Sequence, residues 1–155
     1  MNELLLNPRH AAEIRAHAER AYPHECCGLL AGKLSAGTAE VHEVRSLTNL
    51  HESGEAKKFI EVRSGESAVN RYFVDPGEQL RVEREMAARG LSVLGFYHSH
   101  PDNPAVPSEC DLARAWLEYI YLIVSVRQGQ AAESRVWRLR GDAVAFVELK
   151  TNVLF

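Results

Sequence analysis

Cysteine is scarce in this sequence, and two of its three copies, Cys26 and Cys27, are adjacent, which argues against a disulfide framework. Free thiols in a reducing cytoplasm are the expectation, with Cys26, Cys27 and Cys110 serving mainly as small core residues. No stretch approaches the roughly 20 uninterrupted apolar residues that a membrane helix needs. The opening MNELLLNPRH has too short an apolar run, and no basic leader, to read as an export signal. Lys/Arg runs are missing as well. The 18 basic residues are outnumbered by 21 acidic ones, for a formal net charge of -3, so nucleic acid and anionic lipid are poor partners. Repeats and low-complexity tracts are also absent.

What remains is the mix of a soluble globular protein. The 155 residues are 46% hydrophobic and 25% charged, enough for a single domain over 1–155 with a sizeable core. Asn7-Pro8 predicts a helix start, with Asn as N-cap and Pro in the first position, and that helix runs to about Ala21, ahead of Pro23. CCGLLAG (26–32) reads as a buried strand and 40–48 as a second. The polar stretch from Asn49 to about Lys58 predicts a loop, and KFIEVR (58–63) a further strand. Asp75-Pro76-Gly77-Glu78 starts another helix, which carries Leu80, Val82, Met86 and Ala87 and is closed by Gly90. LSVLGFYH (91–98) is the expected central strand. Ser108 opens a third helix with Leu112, Ala115 and Trp116 as its apolar face. Residues 119–126, 133–139 and 143–149 then read as three strands. This order gives an α+β fold, a mixed sheet flanked by about three helices.

The chemically informative stretch is His98-Ser99-His100-Pro101, followed by Ser108-Glu109-Cys110-Asp111. In extended chain, residues i and i+2 face the same way, so His98 and His100 present two imidazoles together. Asp111 falls in the first turn of the next helix, and prolines 101, 104 and 107 stiffen the connection. Two imidazoles and a carboxylate leave a fourth position open, which is how catalytic zinc is usually held. Each component also has a bland reading. An H-x-H pair alone is a weak metal signal, Ser108-x-x-Asp111 is a helix capping box, and Glu25 is ordinarily a solvated carboxylate. His10, His17, His42 and His51 read as structural or solvent-facing, and nothing marks His24 as a ligand.

The combination is more specific than its parts. H-S-H-P, six residues, then S-x-x-D resembles the motif of the JAMM (MPN-type) metalloprotease family, whose other block is similar to Glu25-Cys26-Cys27-Gly28-Leu29-Leu30-Ala31-Gly32. The resemblance implies a partly barrel-like sheet of the cytidine-deaminase-like kind. It implies one Zn2+ per chain on His98, His100 and Asp111, with Glu25 as catalytic general base and Ser108 on the oxyanion side. Ser99 stands where many relatives carry threonine. Since 44 residues follow Asp111 and three strands occupy most of them, little room is expected for a ubiquitin-gripping insertion. The compact type implies hydrolysis after the C-terminal Gly-Gly of a ubiquitin-like (ThiS/MoaD-like) sulfur-carrier protein, cysteine release being one form of that reaction. A deubiquitinase-like isopeptidase and a non-catalytic scaffold stay open as alternatives. A non-haem iron oxygenase would leave Glu25 and Ser108 without a task. An amidohydrolase barrel needs roughly 250 residues. Oligomeric state is not legible in the sequence.

Overall fold

The structure, a computed structural model, describes residues 1–53, 72–153 and 155. The strand expected at 58–63 lies outside the described residues, as do Leu154 and the end of the loop expected after Asn49. Eight strands form one sheet: β1 (Glu3–Leu5), β2 (Cys27–Ser35), β3 (Thr38–Leu47), β4 (Ser92–Pro101), β5 (Ile120–Arg127), β6 (Gln130–Leu139), β7 (Phe146–Glu148) and β8 (Lys150–Thr151). Their order across the sheet is β7-β6-β5-β4-β2-β3-β1-β8. The pairs β1–β3, β1–β8 and β4–β5 are parallel and the rest antiparallel, so the sheet is mixed. The two outermost strands, β7 and β8, are separated in sequence by Leu149 alone, whose N–H donates to Val136 O at 2.8 Å. One short stretch therefore serves both edges and curls the sheet nearly into a barrel, leaving little edge to pair with another chain.

The helices start as their capping residues dictate. Asn7 caps α1 (Pro8–Ala21) by accepting from His10 N, and Asp75 caps α3 (Pro76–Ala88) by accepting from Gly77 N. Each helix covers one face of the sheet. Ile14 and Ala18 of α1 pack with Leu30, Tyr97, Leu122 and Val124, while Val82 and Met86 of α3 pack with Leu29, Ala31, Phe96 and Tyr121. Against the sequence expectation, residues 50–53 of the polar stretch form a short helix, α2 (Leu50–Ser53). The third helix is also shorter than expected: α4 spans Glu109–Arg114, buries none of its residues, and leaves Trp116 64% exposed beyond its end. Its role is to place Asp111 rather than to build core.

The register of β4 decides which side chains reach which face. The pairing with β2 shifts at Leu30/Ala31, where Leu30 faces Gly95 and Ala31 faces Val93, so Leu94 is bulged out of the alternation. Beyond the bulge, Phe96, His98 and His100 share the α3 face, while Tyr97 and Ser99 take the α1 face. Gly95 sits opposite Ile120 of β5, and a Cβ there would lie 2.0 Å from Ile120 O. Gly95→Ala is expected to destabilise the protein by about 1–3 kcal/mol or more, because backbone has to move. A urea midpoint equal to the parent's would show that the β4–β5 spacing is slacker than this.

Candidate metal centre

His98 and His100 lie within β4, each fixed by pairing with β5, at Ile123 and Ser125 respectively. His98 is fully buried and His100 nearly so. Their Nε2 atoms are 3.1 Å apart. Asp111, delivered by the first turn of α4, completes the group: Oδ1 lies 3.1 Å from His98 Nε2 and Oδ2 lies 3.3 Å from His100 Nε2. All the candidate ligand atoms fall within 4.8 Å of one another, an arrangement that could hold a metal ion. Tetrahedral zinc with bonds of about 2.0–2.1 Å spaces its ligand atoms about 3.3 Å apart. The donor spacing is therefore of the size such an ion needs.

Surrounding contacts fix the orientation of these donors. His100 Nδ1 lies 2.9 Å from Pro104 O, so with its hydrogen on Nδ1 it turns the Nε2 lone pair to the centre. The loop of three prolines thus supplies a ligand-orienting carbonyl as well as stiffness. Asp111 Oδ2 accepts from Ser108 N and from Ser108 Oγ, both at 2.7 Å, while Ser108 Oγ accepts from Asp111 N at 3.1 Å. The capping box and the candidate ligand are one and the same carboxylate. Tyr72 stacks on the His98 ring at 4.6 Å between centroids, and Arg114, one turn beyond Asp111, donates to Tyr72 O at 3.0 Å. A cleft of about 570 Å³ adjoins this stack, lined by aromatic residues that include Phe73, Phe96, Trp116 and Tyr119.

Burial and charge pull the titrations in opposite directions. For His98, burial outweighs the nearby Asp111 carboxylate and pushes the imidazole below its usual value, towards the neutral form a ligand needs. In His100 burial also opposes protonation, but the hydrogen bond and charge of Asp111, helped by Glu25, hold it above the usual value. Burial raises Asp111 too, yet its contacts with His98 and His100 and the hydrogen bond from Ser108 N hold it below the carboxylate range. A carboxylate favoured in its ionised form beside two imidazoles suits a divalent cation.

Glu25 reaches this group from the segment between α1 and β2. It is 6% exposed, and its Oε1 lies 3.8 Å from His100 Nε2, too long for a direct hydrogen bond. Its backbone is tied down twice. Asn49 Nδ2 donates to Glu25 O at 2.9 Å. Next along the chain, Cys26 N donates to Ser99 Oγ at 2.8 Å and Ser99 N donates to Cys26 O at 3.2 Å. The residue between the two histidines therefore faces away from them and clamps the Glu25 segment to β4. Alternation in a strand gives that signal in the sequence. The parts played by Asn49, Tyr72 and Pro104 carry no comparable local pattern.

All five site residues named from the sequence, Glu25, His98, His100, Ser108 and Asp111, are thus brought together. Three of the other histidines stand elsewhere: His17 Nδ1 meets Tyr97 Oη at 2.7 Å, His42 lies 3.7 Å from Glu40 on the sheet, and His10 is buried in α1. Cys26 and Cys27 are buried core residues as expected, whereas Cys110 is only half-buried, on a helix that buries none of its residues. Burial pushes the Cys26 thiol up to about 12, so it stays protonated. Phe96, Tyr97 and Val153 are buried as well.

Residues 7–140 match the family model described as prokaryotic homologs of the JAB domain. The chain belongs to this JAB-domain family. Among curated relatives, a CysO-cysteine peptidase of Mycobacterium tuberculosis is 32% identical over 130 residues, covering 83% of this chain and 77% of the relative. A probable TtuB-protein conjugate cleaving protease of Thermus thermophilus is 35% identical over 111 residues, 72% of this chain. The chain spans 62% of that relative's length. A desampylase of Haloferax volcanii is 36% identical over 104 residues, 66% of this chain and 63% of the relative. The fold is shared with a solved protein from Desulfitobacterium hafniense (TM-score 0.75, 28% identity, covering 96% of this chain and 90% of that one). A second, from Salinibacter ruber, gives a TM-score of 0.67 at 30% identity, covering 98% and 92%. The JAB-domain architecture places Glu25 and the His-His-Asp group on one side of a nearly closed sheet. Among the described residues no helix is long and apolar enough to cross a membrane.

Proposed function

We propose that the whole of 1–155 acts as one zinc metallopeptidase domain. Its substrate is the peptide or isopeptide bond after the C-terminal Gly-Gly of a ubiquitin-like sulfur-carrier protein in the cytoplasm. One observation carries the reading: a nearly buried carboxylate, Glu25, stands 3.8 Å from His100 Nε2 at the edge of a three-donor group. His98, His100 and Asp111 hold the ion, one per chain. When bound, zinc supplies a Lewis acid and makes water acidic enough to lose a proton near neutral pH.

The chain's own residues do the rest. Glu25 accepts the proton of the attacking water at Oε1 and passes it to the leaving amine, so one carboxylate serves as base and then as acid. Ser108 Oγ has a single hydrogen, which in the resting arrangement goes to Asp111 Oδ2. Turning it towards the substrate carbonyl supplies an oxyanion donor, with the Ser108 N–H still holding Asp111. The relatives named as a CysO-cysteine peptidase and a TtuB-conjugate cleaving protease favour a carrier's C-terminal junction as the scissile bond. At His98 β4 is already paired on both sides, by β2 and β5, and the aromatic cleft next to Tyr72 offers the carrier tail a surface.

The test is mass-spectrometric: carrier proteins extended beyond Gly-Gly, and polyubiquitin, are incubated with the zinc-loaded protein. Cleavage after the second glycine of a carrier is expected. Cleavage of polyubiquitin alone would move the assignment to a deubiquitinase-like isopeptidase, and no cleavage together with no metal uptake to a scaffold. Ser108→Ala is expected to slow turnover about 100- to 1,000-fold. It is also expected to cost about 1 kcal/mol of stability through the lost cap. A thermal melt beside the kinetics separates the two. Unchanged turnover in a destabilised variant would reduce Ser108 to its capping role.

A further inference from the structure

Asn49 contributes nothing to the metal group, yet its side chain is 4% exposed and joins three separated backbone segments. Nδ2 donates to Glu25 O at 2.9 Å, while Oδ1 accepts from His51 N and from Phe73 N, each at 3.1 Å. Around it the two approaching chains pair with one another: Asn49 bridges to Val74, and Leu50 N donates to Phe73 O at 2.8 Å. Residues 49–51 after β3 and residues 73–74 before α3 are thus tied together as a neck, and the neck is fastened to Glu25. The neck also carries Tyr72, the residue stacked on His98.

We propose that Asn49 is a positioning residue for Glu25, holding the general base against the metal group through the backbone of Glu25. The inference rests on the reading of Glu25 given above. It goes beyond it by making the accuracy of the base depend on a residue 24 positions downstream. The chemistry of the amide is what suits it to both tasks. A carboxamide offers a donor and an acceptor at one end of a short side chain, so it can hold a carbonyl on one side and two N–H groups on the other. Aspartate has the same shape and retains both acceptor contacts, but turns an oxygen towards Glu25 O where a donor is needed. Asn49→Asp therefore releases Glu25 while leaving the neck tied, and Asn49→Ala releases both.

The experiment uses the zinc-loaded full chain and reads kinetics, zinc content and amide hydrogen exchange together. In Asn49→Asp, kcat on the Gly-Gly-extended carrier is expected to fall about 100-fold, the scale of a displacement near 1 Å at a reacting centre. KM and zinc stoichiometry are expected to stay as in the parent. Exchange should accelerate at the Cys26 amide, next to the released carbonyl, and stay slow at His51 and Phe73. In Asn49→Ala all three amides should exchange faster. Asn152→Ala is the control for mere loss of stability: Asn152 clamps Leu6 in the same way, with Oδ1 accepting from Leu6 N and Nδ2 donating to Leu6 O, far along the chain from the base. It is expected to lower the melting temperature with kcat unchanged. Parent-like kcat and Cys26 exchange in Asn49→Asp would overturn the proposal, and so would a loss of zinc or of neck protection in that variant. If the parent itself cleaves no carrier, the reading of the reaction fails, and the Cys26 exchange still decides whether Asn49 holds Glu25.

Discussion

Glu25→Gln is expected to lower turnover by about 100- to 10,000-fold, the range a positioned general base supplies, while the protein still takes up one zinc ion per chain. The two parts of that result have separate structural causes. Glutamine has the same length and shape, so the backbone ties at Glu25 O and Cys26 N are undisturbed. His98, His100 and Asp111 form the candidate ligand group without it. What glutamine lacks is the lone-pair basicity to accept a proton from water and return it to a leaving amine. Substrate binding should persist, so the loss is expected in kcat with KM little changed, the pattern of an interaction made only in the transition state. Parallel metal analysis and steady-state kinetics check it. A Glu25→Gln protein with full activity would remove Glu25 from the mechanism, and one that lost zinc would make Glu25 a ligand instead.

The second large effect concerns the donors themselves. His98→Ala, His100→Ala and Asp111→Ala are each expected to lose zinc and to reduce turnover to background. A three-donor site deprived of one donor leaves two, below what catalytic zinc uses. The three variants should differ in stability. Asp111→Ala also removes the acceptor that holds Ser108 N and Ser108 Oγ, so the capping box of α4 loses its reciprocal half along with the metal. Ser108 Oγ still caps the N–H of residue 111, and this variant is expected to be the least stable of the three. The linkage itself is large: an ion present at a thousand times its dissociation constant stabilises the folded state by about 4 kcal/mol. Melting curves of the parent with and without chelator should therefore separate widely, whereas those of the three variants should coincide. X-ray absorption at the zinc edge supplies the direct picture. Nitrogen and oxygen neighbours at about 2.0–2.2 Å are expected, and a sulfur neighbour at about 2.3 Å would bring Cys110 into the site.

The sequence was most legible where local rules operate. Asn7-Pro8, Asp75-Pro76 and Ser108 open helices where their capping chemistry says they should. The i, i+2 spacing of His98 and His100 places both imidazoles on one face, because β4 continues through Pro101 instead of ending before it. What local rules missed is set by distant partners. Strands β1 and β8 are three and two residues long and exist only through distant partners, β1 beside β3 and β8 beside β1 across almost the whole chain. No periodicity can show in so few residues, so neither they nor the closure of the sheet at Leu149 is visible in the sequence. Apolar residues after Ser108 suggested a core-facing helix through Trp116. The chain instead leaves the helix after Arg114, and Tyr121 Oη accepts from Trp116 N at 2.8 Å in place of a helical partner. Asn49 shows the same limit within the site, since its value lies in backbone groups 24 residues away on either side.

The most direct test of the account is a titration of metal-free protein with zinc while cleavage of a carrier–Gly-Gly fusion is followed in water enriched in oxygen-18. Activity should rise in proportion to added zinc and level off at one ion per chain. The label should appear in the carboxylate of the new C-terminal glycine, as hydrolysis by an attacking water requires. Cleavage that proceeds at full rate in the presence of chelator, or that needs no His100, would contradict the assignment of the His98, His100 and Asp111 group as the catalytic metal centre.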